Sequence, residues 1–508
     1  MNRRIFLAVL GGLALLAVFP AEAANIRLTV LHTNDIHGWI MPRPAAFYEK
    51  DPKRPIGGAA VLAAYFRKIQ GPKLLVDAGD WFLSTPEGAI RQGEGVVEVF
   101  NAVGYSALAV GNHEFDYGKK QLSRLIRTSR APILSANIYR MDGQRDPDFR
   151  PWIVTEIGGV RVGLFGLITD RMNRLSFLEN IEGLAFRRPI DEAKAAVAAL
   201  RRQGATVIIA LSHLGLEEAK GPYFEGDQSL SARVDGIDLI VGGHSHTALK
   251  EPIRDATHGT LIVQAGSEMS RVGEVELEID PETKKVVKSA GRLVDLWVDE
   301  IGSDPGVEKA VEKLTQEVGH IYDVVIATAA AALTRNKDGE SSLGDWMTDC
   351  ERSWAKTDLA LQNGGGIRAD IAAGPVTLRH IFDVMPFDNH VAKLALKGRD
   401  VRAMLDHGVG MARMAQISGA EVTYRRKASP GKRVASITVK GKPLADDASY
   451  TVATVDFLAQ GGDGYTVFEF SQSKEFTKTL LRDVLKLCAQ KESLIRPPAA
   501  GRLVSLGD

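Results

Sequence analysis

Between residues 26 and about 270, short apolar runs alternate with amphipathic helical stretches. The runs cover 26–31, 74–76, 107–110, 162–167, 207–211, 239–241 and 261–263. Each is rich in β-branched residues and ends in Gly, Asp, Asn, Ser or His. This pattern predicts buried strands in a layered α/β domain.

The polar residues that close these runs are selective. Asp35 and His37 follow the first run and Asp80 the second. Asn112 and His113 follow the third, His213 follows 207–211, and His244 and His246 follow 239–241. Loops at the carboxyl ends of strands in an α/β sheet converge on one crevice. Five strands therefore deliver Asp, Asn and His to a common edge. Taken singly, each residue is weak evidence, since an Asp in Asp-Ile-His-Gly can simply cap a turn. Taken together they are not, because five of the chain's 11 histidines stand in this set.

Those donors suit a divalent ion of borderline hardness, such as Mn²⁺, Zn²⁺ or Fe²⁺. The candidates outnumber what one ion needs. Two ions roughly 3.5–4 Å apart, bridged by one carboxylate, would use them all. Such a pair polarises a phosphoryl oxygen, generates hydroxide near neutral pH and holds attacking and leaving oxygens in line.

With 508 residues the chain is too long for one ordinary core. Asp304-Pro305 reads as an N-cap followed by proline at the first helical position. Val307, Val311, Leu314 and Val318 then share a helix face, with Gly319 as a stop. This predicts a connecting helix over 304–325, between one domain over 24–303 and another over 326–508. In the second domain we expect strands at 359–361, 436–439 and 450–455 and a helix around 401–407.

Lys+Arg and Asp+Glu both number 63, a balance that argues against a nucleic-acid polymer as partner. Residues 1–23 combine two arginines, an apolar run of about fifteen residues and Ala21-Glu22-Ala23. They read as a secretory signal peptide, with an uncleaved N-terminal anchor as the alternative. Arg3-Arg4 also suits twin-arginine export. The expected location is periplasmic or secreted, without a stable membrane anchor. Cys350 and Cys488 each lie on an apolar helix face, which favours two buried free thiols, although an oxidising compartment permits a disulfide. Nothing in the chain specifies an oligomeric state.

Three motifs follow the connecting helix: Asn363-Gly364-Gly365-Gly366-Ile367-Arg368, Pro386-Phe387, and Phe457 with Gly461-Gly462-Asp463-Gly464. Each is weak alone. In order with His32-Thr33-Asn34-Asp35-Ile36-His37-Gly38, Gly79-Asp80, Gly111-Asn112-His113-Glu114-Phe115-Asp116, Ser212-His213 and Gly243-His244-Ser245-His246, they resemble the bacterial and animal 5′-nucleotidases. These are metallophosphoesterases with a C-terminal substrate domain.

The resemblance implies an α/β fold in which a layered metallophosphoesterase domain (an α/β-β/α sandwich) is joined by a helix to a smaller nucleotide-binding domain. It implies two divalent ions. Asp35, His37, Asp80 and His246 would hold one; Asp80, Asn112, His213 and His244 would hold the other. His113 would stabilise the phosphoryl group, with Asp116 orienting it. Phe387 and Phe457 would sandwich the base, a contact tolerant of base identity. Asn363 would touch the base, and Arg368 and Asp463 the ribose or phosphate. Arg335 is the one candidate for a further phosphate contact upstream. Asp77 and His32 have structural readings, and Asn34 a local turn bond.

The implied activity is hydrolysis of nucleotides by metal-activated hydroxide. A 2′,3′-cyclic-nucleotide phosphodiesterase or a UDP-sugar hydrolase would use the same parts. A thiosulfohydrolase shares the architecture but has no base to stack. A nucleotide-binding protein without catalysis should lack a ligand or the His113–Asp116 pair, and none is missing.

Overall fold

The computed structural model describes residues 24–45, 47–216 and 225–507. The proposed signal peptide lies outside the described residues. Among them, no helix is long and apolar enough to cross a membrane.

The N-terminal domain is two six-stranded sheets face to face. The first runs Val286–Asp295, Arg271–Ile279, Ile26–Thr33, Lys73–Asp77, Ala107–Ala109, Ile133–Leu134. Its last four strands are parallel and its first two antiparallel. The second runs Ile253–Arg254, Leu261–Val263, Leu239–Gly242, Val207–His213, Val160–Ile168, Trp152–Ile157, with a parallel centre and antiparallel edges. All seven expected strands are present.

Strand alternation explains the layering. Leu28, Val30, Leu74 and Val76 of the first sheet share one buried cluster with Val162, Leu164, Val207 and Ile209 of the second. Residues of opposite parity face outward: Leu31 and Leu75 meet helices on one side, while Ile208 and Ala210 pack beneath helix Pro189–Arg202 on the other.

Asp304 caps the predicted connecting helix, Pro305–Tyr322, by accepting from the amides of Gly306 and Val307. The helix runs past Gly319, whose carbonyl accepts from Asp323. Val307, Val311 and Leu314 pack into the outer core of the N-terminal domain. At its other end Tyr322 meets Phe382 of the second domain, ring edge to ring face at 5.4 Å.

The second domain centres on a mixed five-stranded sheet: Gln416–Ser418, Leu359–Gln362, Ser449–Val455, His390–Lys397, Ser473–Leu480. The helix expected around 401–407 extends over Gly398–Gly410, and the strand expected at 436–439 over Val434–Val439. One correction falls here. Cys350 and Cys488 are joined as a disulfide between helices Ser342–Ala355 and Leu481–Glu492. The apolar faces that suggested free thiols are the faces on which these two helices meet.

Candidate metal centre and nucleoside cleft

The parallel strands of both sheets end at the same edge, so their loops meet. Three groups of donor atoms, each within 4.8 Å of one another, result: Asp35–His37–His246, His37–Asp80–His113 and Asp80–His213–His244. Asp80 links the groups, with Oδ2 3.2 Å from His213 Nε2 and 3.8 Å from His37 Nε2. Asn112 Oδ1 lies 3.2 Å from His213 Nε2. All seven expected ligands are thus brought together.

The backbone here is unusual. Asp35, His37, Asp80, His244 and His246 have φ of 51°, 50°, 61°, 72° and 55°. Non-glycine residues in this left-handed region are strained and cluster at functional sites. Glycines make room for them: a Cβ on Gly111 would lie 2.2 Å from Asp80 Oδ1.

Surrounding bonds fix several of these residues and the loops that carry them. His213 Nδ1 donates to the Ala78 carbonyl at 2.7 Å, which turns Nε2 inward toward Asp80. Asn34 Nδ2 donates to Asp35 Oδ2 at 2.7 Å and to the Gly266 carbonyl, while Asn34 Oδ1 accepts from Ala265 N. Asn34 therefore does more than close a local turn. Sequence reasoning gave no role to Glu114. Its buried carboxylate accepts from the amides of Asp80, Trp81 and Gly111 and ties two ligand loops together. Asp77 accepts from Thr33 Oγ1, and His32 packs beneath Gly273.

The residues fit divalent ions. His37 and His246 bring Nε2 within 3.1 Å of Nε2, close enough for both nitrogens to bind one cation. His37 Nδ1 has no hydrogen-bond partner among the described residues. Burial, then the charge on His213, pushes His244 down to about 3, so it is a neutral donor. Burial works against a charged Asp80, but His213, His113 and His37 outweigh it and hold the carboxyl well below its ordinary range.

His113 presents its Nδ1 to Asp116 Oδ2 at 2.7 Å. Burial disfavours charge on this imidazole, but the carboxylates of Asp116 and Asp80 prevail and raise it above its ordinary value. With Nδ1 held by Asp116, this imidazole presents its other nitrogen to the ligand cluster, where it can donate to an anion.

The metal cluster opens into a cleft of about 930 Å³ lined by both domains. Asn363, Arg368, Phe387, Phe457 and Asp463 all line it. Arg368 donates to His37 Nε2 at 3.1 Å, so the second domain reaches the metal cluster directly. The Phe387 ring stands 5.7 Å from that of His113. Asn363 Nδ2 donates to Asp463 Oδ2 at 2.6 Å, and the Asp463 carbonyl faces His407 Nε2 at 2.9 Å. Elsewhere on the interface, Arg379 pairs with the fully buried Glu87 at 2.6 Å and with Asp323.

Arg335 is the exception. Its backbone amide and Nε both donate to Asp370, which folds the side chain away from the main cleft and into a separate cavity of about 260 Å³. Arg335 does not line the main cleft, although its side chain also donates to the Arg368 carbonyl. Arg413 lines the cleft instead, from a loop that no motif marked.

Residues 28–248 match the calcineurin-like phosphoesterases, and residues 317–469 match the 5′-nucleotidase C-terminal domain. Protein UshA of Yersinia enterocolitica is 30% identical over 515 residues, covering 92% of this chain and 91% of its own length. The 5′-nucleotidase of Bos taurus is 29% identical over 550 residues, covering 97% and 93%. The crystal structure of a 5′-nucleotidase precursor from Thermus thermophilus superposes with a TM-score of 0.85 at 30% identity, covering 95% of this chain and 99% of that one. The chain belongs to the 5′-nucleotidase family of calcineurin-like metallophosphoesterases, and is a hydrolase of phosphoric ester bonds.

Proposed function

We propose that this protein is an exported two-metal nucleotidase, cutting in the N-terminal domain what it grips largely with the C-terminal one. One observation carries the reading. The Arg368 guanidinium reaches His37 of the ligand cluster while Phe387 and Phe457 line the same cleft.

Asp35, His37, Asp80 and His246 would hold one divalent ion, and Asp80, Asn112, His213 and His244 the other. When bound, such ions polarise a phosphoryl oxygen and lower the pKa of water. His113, charged and steadied by Asp116, donates to the phosphoryl oxygen as negative charge develops there. Arg368 neutralises the anionic end of the substrate. Phe387 and Phe457 hold the base by its faces, and Asn363 and Asp463 meet the nucleoside's polar edges. A sulfur ester has no base to fill the aromatic end, which favours nucleotides over thiosulfate esters. Export is supported by residues 1–23 and by the disulfide, a bond expected in an oxidising compartment.

The test is phosphate release by metal-reconstituted protein from AMP, UMP, ATP, 2′,3′-cyclic AMP, UDP-glucose and a non-nucleotide phosphomonoester, with and without chelator. Chelator-sensitive turnover much faster on nucleotides is expected. Equal rates on every ester would remove the nucleoside site from the reading. No release with two ions bound would sink it.

A further inference from the structure

The base site expected from the second domain has two aromatic walls. The structure adds a third ring from the other domain. Phe177 follows the short helix Met172–Leu175 and lines the cleft, with its ring 5.9 Å from that of Phe457 at 80°. The helix packs against the Gly462–Gly464 turn, which carries Asp463. Phe177 is half-buried yet belongs to none of the apolar clusters that hold either domain together. An aromatic ring that serves no core, in a cleft with two other rings, is placed to meet a ligand.

Ser176 supplies an independent observation. It also lines the cleft, is only 8% exposed, and its Oγ has no hydrogen-bond partner among the described residues. Buried hydroxyls are normally satisfied, so one left bare beside a cleft is suited to a ligand's donor or acceptor. The segment is also tied to the catalytic side: Asn180 Nδ2 donates to the Asp116 carbonyl at 2.9 Å.

We propose that Phe177 and Ser176 form a third side of the nucleoside site and set base specificity, the ring packing on the base and the hydroxyl bonding its polar edge. This rests on the nucleotide reading above. Because both residues come from the metal-binding domain, the base is fully enclosed only with the two domains together as here. A base that fits this third side poorly is then penalised in turnover as well as in affinity.

The experiment compares kcat/KM on AMP, UMP and ribose 5-phosphate, the last keeping sugar and phosphate but lacking a base. The full chain is assayed as wild type, Phe177→Ala, Phe177→Tyr and Ser176→Ala. Phe177→Ala is expected to lose about tenfold or more on AMP, the scale of one base–aromatic contact. Ribose 5-phosphate turnover stays near the wild-type rate, which also certifies that the variant is folded and metal-loaded. Phe177→Tyr retains AMP turnover, and Ser176→Ala changes the AMP-to-UMP ratio. An equal loss on AMP and ribose 5-phosphate would overturn the proposal, since the ring would then only hold the domains together. Unchanged AMP turnover in Phe177→Ala would overturn it too, and an unchanged AMP-to-UMP ratio would remove Ser176 from it. A wild type with no preference for AMP over ribose 5-phosphate would instead bring down the nucleotide reading, and the proposal with it. A selective wild type with insensitive variants brings down the proposal alone.

Discussion

Five ligand-bearing residues at the metal end of the cleft sit in left-handed backbone, whereas at the nucleoside end only Asp463 does among the residues expected to touch substrate. The metal end is held by bonds within one domain: Glu114 to three amides, Ala78 to His213, Asn34 to Asp35. The nucleoside end is assembled from side chains of both domains, with Phe177 facing Phe457 across the interface. Strain of order 1–3 kcal/mol per residue persists only where the surroundings over-determine it. The metal end is thus over-determined within one domain, whereas the other end of the cleft depends on the two domains meeting.

The largest effects should come from breaking the metal end. Asp80→Asn removes the carboxylate that two of the three ligand groups share. We expect loss of bound metal, read by elemental analysis, and a fall in kcat beyond the roughly 10²–10³-fold that removing one stabilising donor costs. Retained metal and turnover would mean that Asp80 does not bridge. His113→Asn should lower kcat by about 10²–10³-fold while metal content stays at the wild-type level. A loss of metal in that variant would make His113 a ligand, which its place in the His37–Asp80–His113 group permits.

The other end of the cleft should respond differently. Phe387→Ala should cost about 1–3 kcal/mol in kcat/KM on nucleotides, the worth of one stacked base, with metal content unchanged. Adenosine affinity should fall in parallel, and chelator should leave it nearly untouched. If chelator abolished adenosine binding, the two ends would not be separable and the comparison would fail.

The same contrast decided what could be read from sequence. The seven residues that meet in the candidate metal cluster were legible because each stands within a few residues of a strand end, and strand ends are marked by apolar runs. Glu114 was visible in its motif, but its grip on Asp80 N spans 34 positions and depends on the loops having met. That Arg335 lies outside the main cleft was not legible, because Asp370, 35 positions on, sets its side chain's direction. Phe177 and Ser176 carry no local signal, since what makes them part of a site is the opposite domain. The disulfide, with a sequence separation of 138, was hidden for the same reason. Short-range chemistry was legible, and tertiary apposition was not.

The smallest expected effect on turnover comes from a residue away from the cleft, whose substitution touches stability alone. Glu351 is fully buried on helix Ser342–Ala355, beside the disulfide, and neither carboxyl oxygen has a partner among the described residues. Burial raises its pKa from the usual 4.5 to about 8. Between those values the folded state holds a proton that the unfolded chain has released, so unfolding free energy falls as pH rises. The stability this group contributes is whole below about pH 4.5 and is lost as pH climbs through about 8. Glu351→Met keeps the volume and removes the titration. It should leave kcat unchanged, flatten the decline in melting temperature between pH 5 and 8, and be the more stable protein at pH 8. Asp345, on the same helix and raised to about 7, titrates in both proteins, so the difference between the two pH profiles isolates Glu351. Parallel profiles would mean that this carboxyl finds water or a partner in solution, and that the second domain is looser around its disulfide than its packing implies.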